Sequence, residues 1–289
     1  MLACERHGSG EPLVLVHGVT HRRQAWYPVL ERLAEQREVI LVDLPGHGQS
    51  PPFRPDGCSV AEALRAEFKQ FLADQHLDRP HVAGNSLGGR IALEAGAAGD
   101  ARSVTALSPA GFWRTDASFA YTRKIFTSAA AVVERVGPRA EWLARSAAGR
   151  KIMYGILMAH PARVSPDHAL GDFRAFAYAR PALRLLLDAA TPFTDEIAAD
   201  VPVTVAWGAR DLVLPPWQAE VAKEVLPHAT HVMMRGIGHV PMWDNPDFVA
   251  RVLLRGSAPS AAVTPLAPGG GGASSGGRAR SRSAKAATA

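Results

Sequence analysis

The five residues Gly84-Asn85-Ser86-Leu87-Gly88 constrain this chain more than any other stretch of its length. They stand between the apolar run His81-Val82-Ala83 and the segment Arg90-Ile91-Ala92-Leu93-Glu94-Ala95, which reads as a helix. A strand passing into a helix through so short a connection must turn sharply, and at the positions flanking the serine only glycine clears the neighbouring backbone. Ser86 is then held out at the end of a strand, beside the unpaired N–H groups of a helix's first turn. In a chain of 289 residues with 26 glycines, G-x-S-x-G is expected by chance about 0.1 times, before that flanking context is demanded.

Other short apolar, often β-branched runs recur along the chain: Leu13 to Val16, Val39 to Val42, Val104 to Leu107, Val203 to Ala206 and Val232 to Met234. Apolar residues at successive positions suit strands buried on both faces of a parallel sheet. Helical spacing separates them, with Trp26, Val29, Leu30 and Leu33 on one stripe and Val60, Leu64, Phe68, Phe71 and Leu72 on another. Phe248, Val249, Val252 and Leu253 mark a last helix. The alternation predicts an α/β fold with right-handed crossovers and a ligand site beyond the C-terminal ends of the strands.

One interval interrupts that order. Residues 113–195 hold no strand run, are rich in Ala, Arg and Leu, and place Phe173, Phe176, Ala177, Arg180, Leu183 and Leu187 at helical spacing. The interval is too long for a crossover and too apolar for a linker, so it is expected to be a helical insertion over the sheet. Ten of the chain's 20 aromatic residues lie in it. Most are expected to build its own core and a few to line a pocket.

A serine hydroxyl needs a base within hydrogen-bond reach, and the base needs an acid to orient it. His239, in Gly236-Ile237-Gly238-His239-Val240-Pro241, follows the last strand run in a glycine-rich loop that can swing an imidazole over the sheet. Asp211, in Trp207-Gly208-Ala209-Arg210-Asp211, lies just beyond the penultimate run. Asp116 is the rival acid, and an ion pair with Arg210 is the alternative use of Asp211. The glycine-flanked His47 reads as structural, and His160, His168, His228 and His231 read as surface residues.

The order Ser86, Asp211, His239 resembles the triad order of the α/β-hydrolase family, over about residues 2 to 255. His17-Gly18-Val19, the segment Asp43 to Ser50, and Met242-Trp243-Asp244-Asn245-Pro246 fall where that family carries its other marks. The resemblance implies a mostly parallel, eight-stranded type of sheet, here with its first edge strand missing because only Leu2 to His7 precede the first turn. It implies a core of residues 1–112 and 196–255, a cap of 113–195, and an oxyanion hole made by the backbone N–H groups of Val19 and Leu87. The activity it implies is serine hydrolysis of an ester-like bond through an acyl-enzyme at Ser86. Carbon–carbon bond hydrolases of ring-cleavage diketones share the fold, but tend to carry tryptophan after the histidine, where this chain has Val240, and an arginine in the cap, which Arg180 would supply. Cofactor-free perhydrolase or oxygenase chemistry and a non-catalytic binding protein are the other readings of the same constellation. Dehalogenases and epoxide hydrolases are excluded, since they place aspartate where Ser86 stands.

Charge and composition narrow the partners. Of the formal charge of +5, four units come from Arg278, Arg280, Arg282 and Lys285 in residues 256–289, a segment dominated by Gly, Ala, Ser and Pro that reads as a disordered basic tail. The nearly neutral remainder predicts a small-molecule substrate and no nucleic-acid partner. No leader and no apolar stretch long enough to span a membrane is read, and Cys4 and Cys58 suit a reducing, cytoplasmic compartment. No metal-binding spacing appears, and neither a metal nor another cofactor is expected.

Overall fold

The computed structural model describes residues 1–258. Its strands are β1 (Cys4–His7), β2 (Pro12–Val16), β3 (Glu38–Val42), β4 (His81–Asn85), β5 (Ser103–Leu107), β6 (Val203–Gly208) and β7 (Thr230–Met234). Its helices are α1 (Tyr27–Ala34), α2 (Val60–Asp74), α3 (Leu87–Ala97), α4 (Asp116–Val136), α5 (Ala140–Arg145), α6 (Ala147–Tyr154), α7 (Pro166–Asp188), α8 (Gln218–Val225) and α9 (Pro246–Gly256). The strands form one sheet of seven in the order β1-β3-β2-β4-β5-β6-β7. Only β1 runs antiparallel to its neighbour.

The continuous apolar runs of β2, β3, β4 and β5 are strands covered on both sides, while the run in the edge strand β7 is partly exposed. Leu13 and Leu15 of β2 join Trp26, Val29 and Leu33 and, from α9, Val249, Val252 and Leu253 on one face of the sheet. Val14 and Val16 join Leu64, Phe68 and Phe71 of α2 and Ile91 of α3 on the other. The edge strand β1 departs from that pattern further. Paired on one side only and half-exposed, it keeps Glu5 and Arg6 in ion pairs with Arg23 and Glu38, so no apolar run marks it.

The loops that follow β2 and β3 are fixed by buried polar groups. Asp43 accepts from the backbone N–H groups of Arg23 (2.7 Å) and Gln49 (2.9 Å) and from the Arg23 guanidinium. Gly48, at φ +53°, lies so close to the Asp43 carboxylate that a Cβ would collide with it. His47 donates from Nδ1 to the Pro45 carbonyl (2.9 Å) and packs 5.4 Å from the His17 ring, a structural role as expected.

Burial pushes His47 down to about 4 and holds His17 and His21 below the ordinary histidine range, so all three are neutral in the fold. The unfolded chain takes up these protons near pH 6.5, so stability is complete above that pH and is lost as the pH falls toward about 4. Between pH 7 and pH 5 His47 alone should cost on the order of 2 kcal/mol. Denaturant titrations at the two pH values should show this loss, and His47→Asn, which keeps a donor for Pro45, should show less of it. A variant with the same pH slope as the parent would refute the assignment.

Between β5 and β6 the chain forms α4 to α7, joined by two short 3-10 turns, as the helical spacing predicted. The structure fixes the buried face of α7, which periodicity alone left open. Small residues, Ala175, Ala179 and Ala182, pack inward with Leu183 and Leu187, while Phe173 and Phe176 are only partly covered. Asp172 is buried on that face because Arg22 (3.1 Å) and the Tyr154 hydroxyl (3.1 Å) pair with it. Tyr121 and Tyr178 are about half exposed and Trp142 mostly so, which narrows the aromatic core expected here.

The core extends past residue 255. Ser257 is buried and receives two hydrogen bonds from the Arg37 guanidinium, one to its hydroxyl (3.2 Å) and one to its carbonyl (2.8 Å). From residue 259 onward the expected tail lies outside the described residues. Among those described, no helix is long and apolar enough to cross a membrane.

Candidate active site

Ser86 sits between β4 and α3 at φ +57°, ψ −116°, a conformation that a non-glycine residue adopts only when its surroundings impose it. A Cβ at Gly84 would strike the Gly88 carbonyl, and one at Gly88 would strike the carbonyls of Val16 and His17. Both glycines are therefore required for the turn to pack against β2. The backbone of Ser86 is pinned at both ends: its N–H donates to the Leu107 carbonyl (3.0 Å) and its carbonyl accepts from Arg90 and Ala110 (both 3.0 Å). The side chain makes no hydrogen bond to a described group and lines an open cleft.

His239 and Asp211 meet as the sequence predicted, with Nδ1 of the imidazole 2.7 Å from Asp211 Oδ2. The other carboxylate oxygen accepts from the N–H groups of Val213 (2.9 Å) and Leu214 (2.8 Å), which fixes the carboxylate's direction. Both residues are buried. Facing a carboxylate, Nδ1 carries the ring's proton and leaves the lone pair of Nε2 as the basic site. Asn85 ties this pair to the serine. Its amide donates to the carbonyls of His239 (2.9 Å) and Leu107 (3.0 Å), so the residue before Ser86 holds the backbone of the histidine.

Val19 and Leu87 complete the geometry. Leu87 N–H is an unpaired donor at the start of α3. His17 donates from Nδ1 to the Gly18 carbonyl (2.8 Å) and accepts from Leu44 N–H at Nε2 (3.1 Å). With that carbonyl held, the trans peptide turns Val19 N–H the opposite way. A Cβ at Gly18 would lie 3.2 Å from Ser86 Cβ, so this loop passes directly against the serine. Two N–H donors and a helix N-terminus can stabilise negative charge on an oxygen near Ser86.

Asp116 lies exposed in the first turn of α4, and Arg210 is exposed without a carboxylate partner among the described residues. Asp116 therefore does not displace Asp211 as the acid beside His239, and Arg210 does not draw Asp211 away from it. His160 and His228 are exposed as expected, and His231 is partly covered. His168 is not a surface residue: its ring packs edge-on 4.9 Å from Trp243 and is mostly buried, because α7 lays it against the loop that follows His239.

The sequence did not disclose the part played by Asp244. Its carboxylate accepts from Gly238 N–H (2.8 Å) in the histidine loop and from Ala159 (3.0 Å) and His160 (2.7 Å) in the segment after α6. An acid in Met242-Trp243-Asp244-Asn245-Pro246, without a basic neighbour in sequence, was the available signal. On the other side, the Tyr121 hydroxyl donates to the Leu212 carbonyl (2.8 Å), which joins α4 to the loop carrying Asp211. The cleft of about 60 Å³ between these elements is lined by Ser86, Val19, Leu214 and three of the insertion's aromatics, Trp113, Phe119 and Phe126.

A model of the alpha/beta hydrolase family matches residues 13–252. Lipase 3 of Moraxella sp. is 29% identical over 247 residues, which cover 81% of this chain and 73% of the lipase. Lipase 1 of Psychrobacter immobilis is 29% identical over 245 residues, with the same two coverages of 81% and 73%. The enol-lactonase of Burkholderia xenovorans LB400 shares the fold at a TM-score of 0.68 with 18% identity, over 88% of this chain and 95% of that one.

Proposed function

The chain belongs to the alpha/beta hydrolase family, and on that premise we propose that it cleaves carboxylic esters of small to medium size through an acyl-enzyme at Ser86. The observation that carries this reading is the buried Asp211–His239 hydrogen bond at the same sheet edge as a serine held in a strained, open turn. His239 Nε2 takes the hydroxyl proton as Ser86 Oγ attacks the ester carbonyl carbon. The oxyanion that forms accepts from Val19 and Leu87 N–H. It collapses as the alcohol leaves with the proton from His239. Water, deprotonated by the same nitrogen, then attacks the acyl-enzyme and releases the acid and the free serine. Residues 113–195 act as a cap whose side chains select the substrate, and no cofactor takes part.

The names of the two lipases support an ester substrate. Carbon–carbon bond cleavage is the weaker reading, because Val240 follows the histidine and Arg180 is paired with Glu134 at 3.2 Å. Two free cysteines support a cytoplasmic setting. A fluorophosphonate probe should label the full chain once, at Ser86, as read by peptide mass spectrometry. Labelling at another residue, or none in folded protein, refutes an activated Ser86.

A further inference from the structure

A second apolar chamber of about 70 Å³ adjoins the cleft that holds Ser86. Five residues line both: Leu87, Ala110, Trp113, Leu186 and Ala190. All five are only half-buried, and their shared lining makes the two spaces neighbours. Leu64 and Ala61 of α2 and Ala189 beyond α7 line the far chamber alone.

Arg90 and Glu94 are the charged residues of its lining. The Arg90 guanidinium donates to Glu94 (2.6 Å) and to the Thr191 carbonyl (3.0 Å), and lies 5.1 Å from the centre of the Phe193 ring. Glu94 neutralises it at close range, so the chamber offers no net charge to a substrate's end. Hydrocarbon is the occupant this lining favours.

We propose that the far chamber is an acyl-chain subsite, selecting esters whose acid part is a neutral, unbranched chain of medium length. This rests on the ester reading of Ser86. The alcohol must leave beside His239 to receive its proton, and His239 lines neither chamber, so the part of the substrate that enters them is the acyl group. At 1.5 Å per residue, Arg90 stands about 6 Å and Glu94 about 12 Å along α3 from Ser86, the reach of an acyl chain of roughly six to ten carbons. Such a chain would pass Leu87, Ala110, Trp113 and Leu186, which line both spaces.

The test is a series of p-nitrophenyl esters from acetate to decanoate, with kcat/KM measured for the parent chain and for Ala61→Phe and Ala189→Phe. The two substitutions fill the far chamber from different elements and touch none of Ser86, His239 and Asp211. The parent should prefer octanoate to acetate. Each variant should lose roughly ten- to hundredfold on octanoate while acetate stays within about twofold, which also reports an intact fold. Ala189→Val, a milder filling, should fall between. A parental chain-length profile in all variants, or acetate falling in step with octanoate, overturns the subsite alone. A parent that hydrolyses no ester of the series overturns the ester reading, and the subsite with it.

Discussion

Ser86→Ala protein should turn over esters no faster than about 10³-fold above the uncatalysed reaction, the residue left by binding and oxyanion stabilisation when a nucleophile is removed. Its fold should survive, because the Ser86 hydroxyl makes no hydrogen bond to a described group and alanine keeps the Cβ that the turn already accommodates. Steady-state kinetics with a short-chain ester and a thermal melt decide the matter together. Near-parental rates in a protein that melts at the parental temperature would remove Ser86 from the mechanism.

Asp211→Asn should lose roughly 10⁴-fold in kcat with the fold intact. The asparagine oxygen can still accept from Val213 and Leu214, so the loop keeps its two backbone bonds. Its amide, however, presents a donor to the imidazole where the carboxylate accepted at 2.7 Å. The ring then holds its proton on Nε2, and no lone pair faces the serine. If Asp116→Asn produced this loss and Asp211→Asn did not, the acid would be the exposed residue of α4, against the geometry of the pair.

Ser86 and Asp211 were legible in the sequence because each follows a strand buried on both faces, which announces itself as an unbroken apolar run, while His239 follows the half-exposed edge strand β7, marked by Val232 to Met234 and the glycine-rich loop after it. The parallel sheet was legible for the same reason, and β1 was not, since an edge strand with Glu5 and Arg6 carries no such run. Helical periodicity located α7 but did not assign its inward face. Close approach to neighbouring elements selected alanines there, where a hydrophobicity pattern points to Phe173 and Phe176. Asn85 and Asp244 stayed hidden for a different reason. Their amide and carboxylate each also bind main-chain groups 84 to 154 residues away in sequence, and no local spacing encodes those partners.

Asp244 Oδ2 accepts from both the histidine loop and the segment after α6, with Oδ1 adding a second bond to that segment, while Tyr121 ties α4 to the Asp211 loop. Specificity and reactivity are therefore not separable modules in this molecule. Grafting a different helical insertion between β5 and β6 would sever the ties that set the imidazole and its acid, so a chimaera made to accept a new substrate would begin with a detuned base. Incremental change at residues such as Ala61 and Ala189, which touch neither tie, is the route by which a chain built this way can diverge without passing through inactivity.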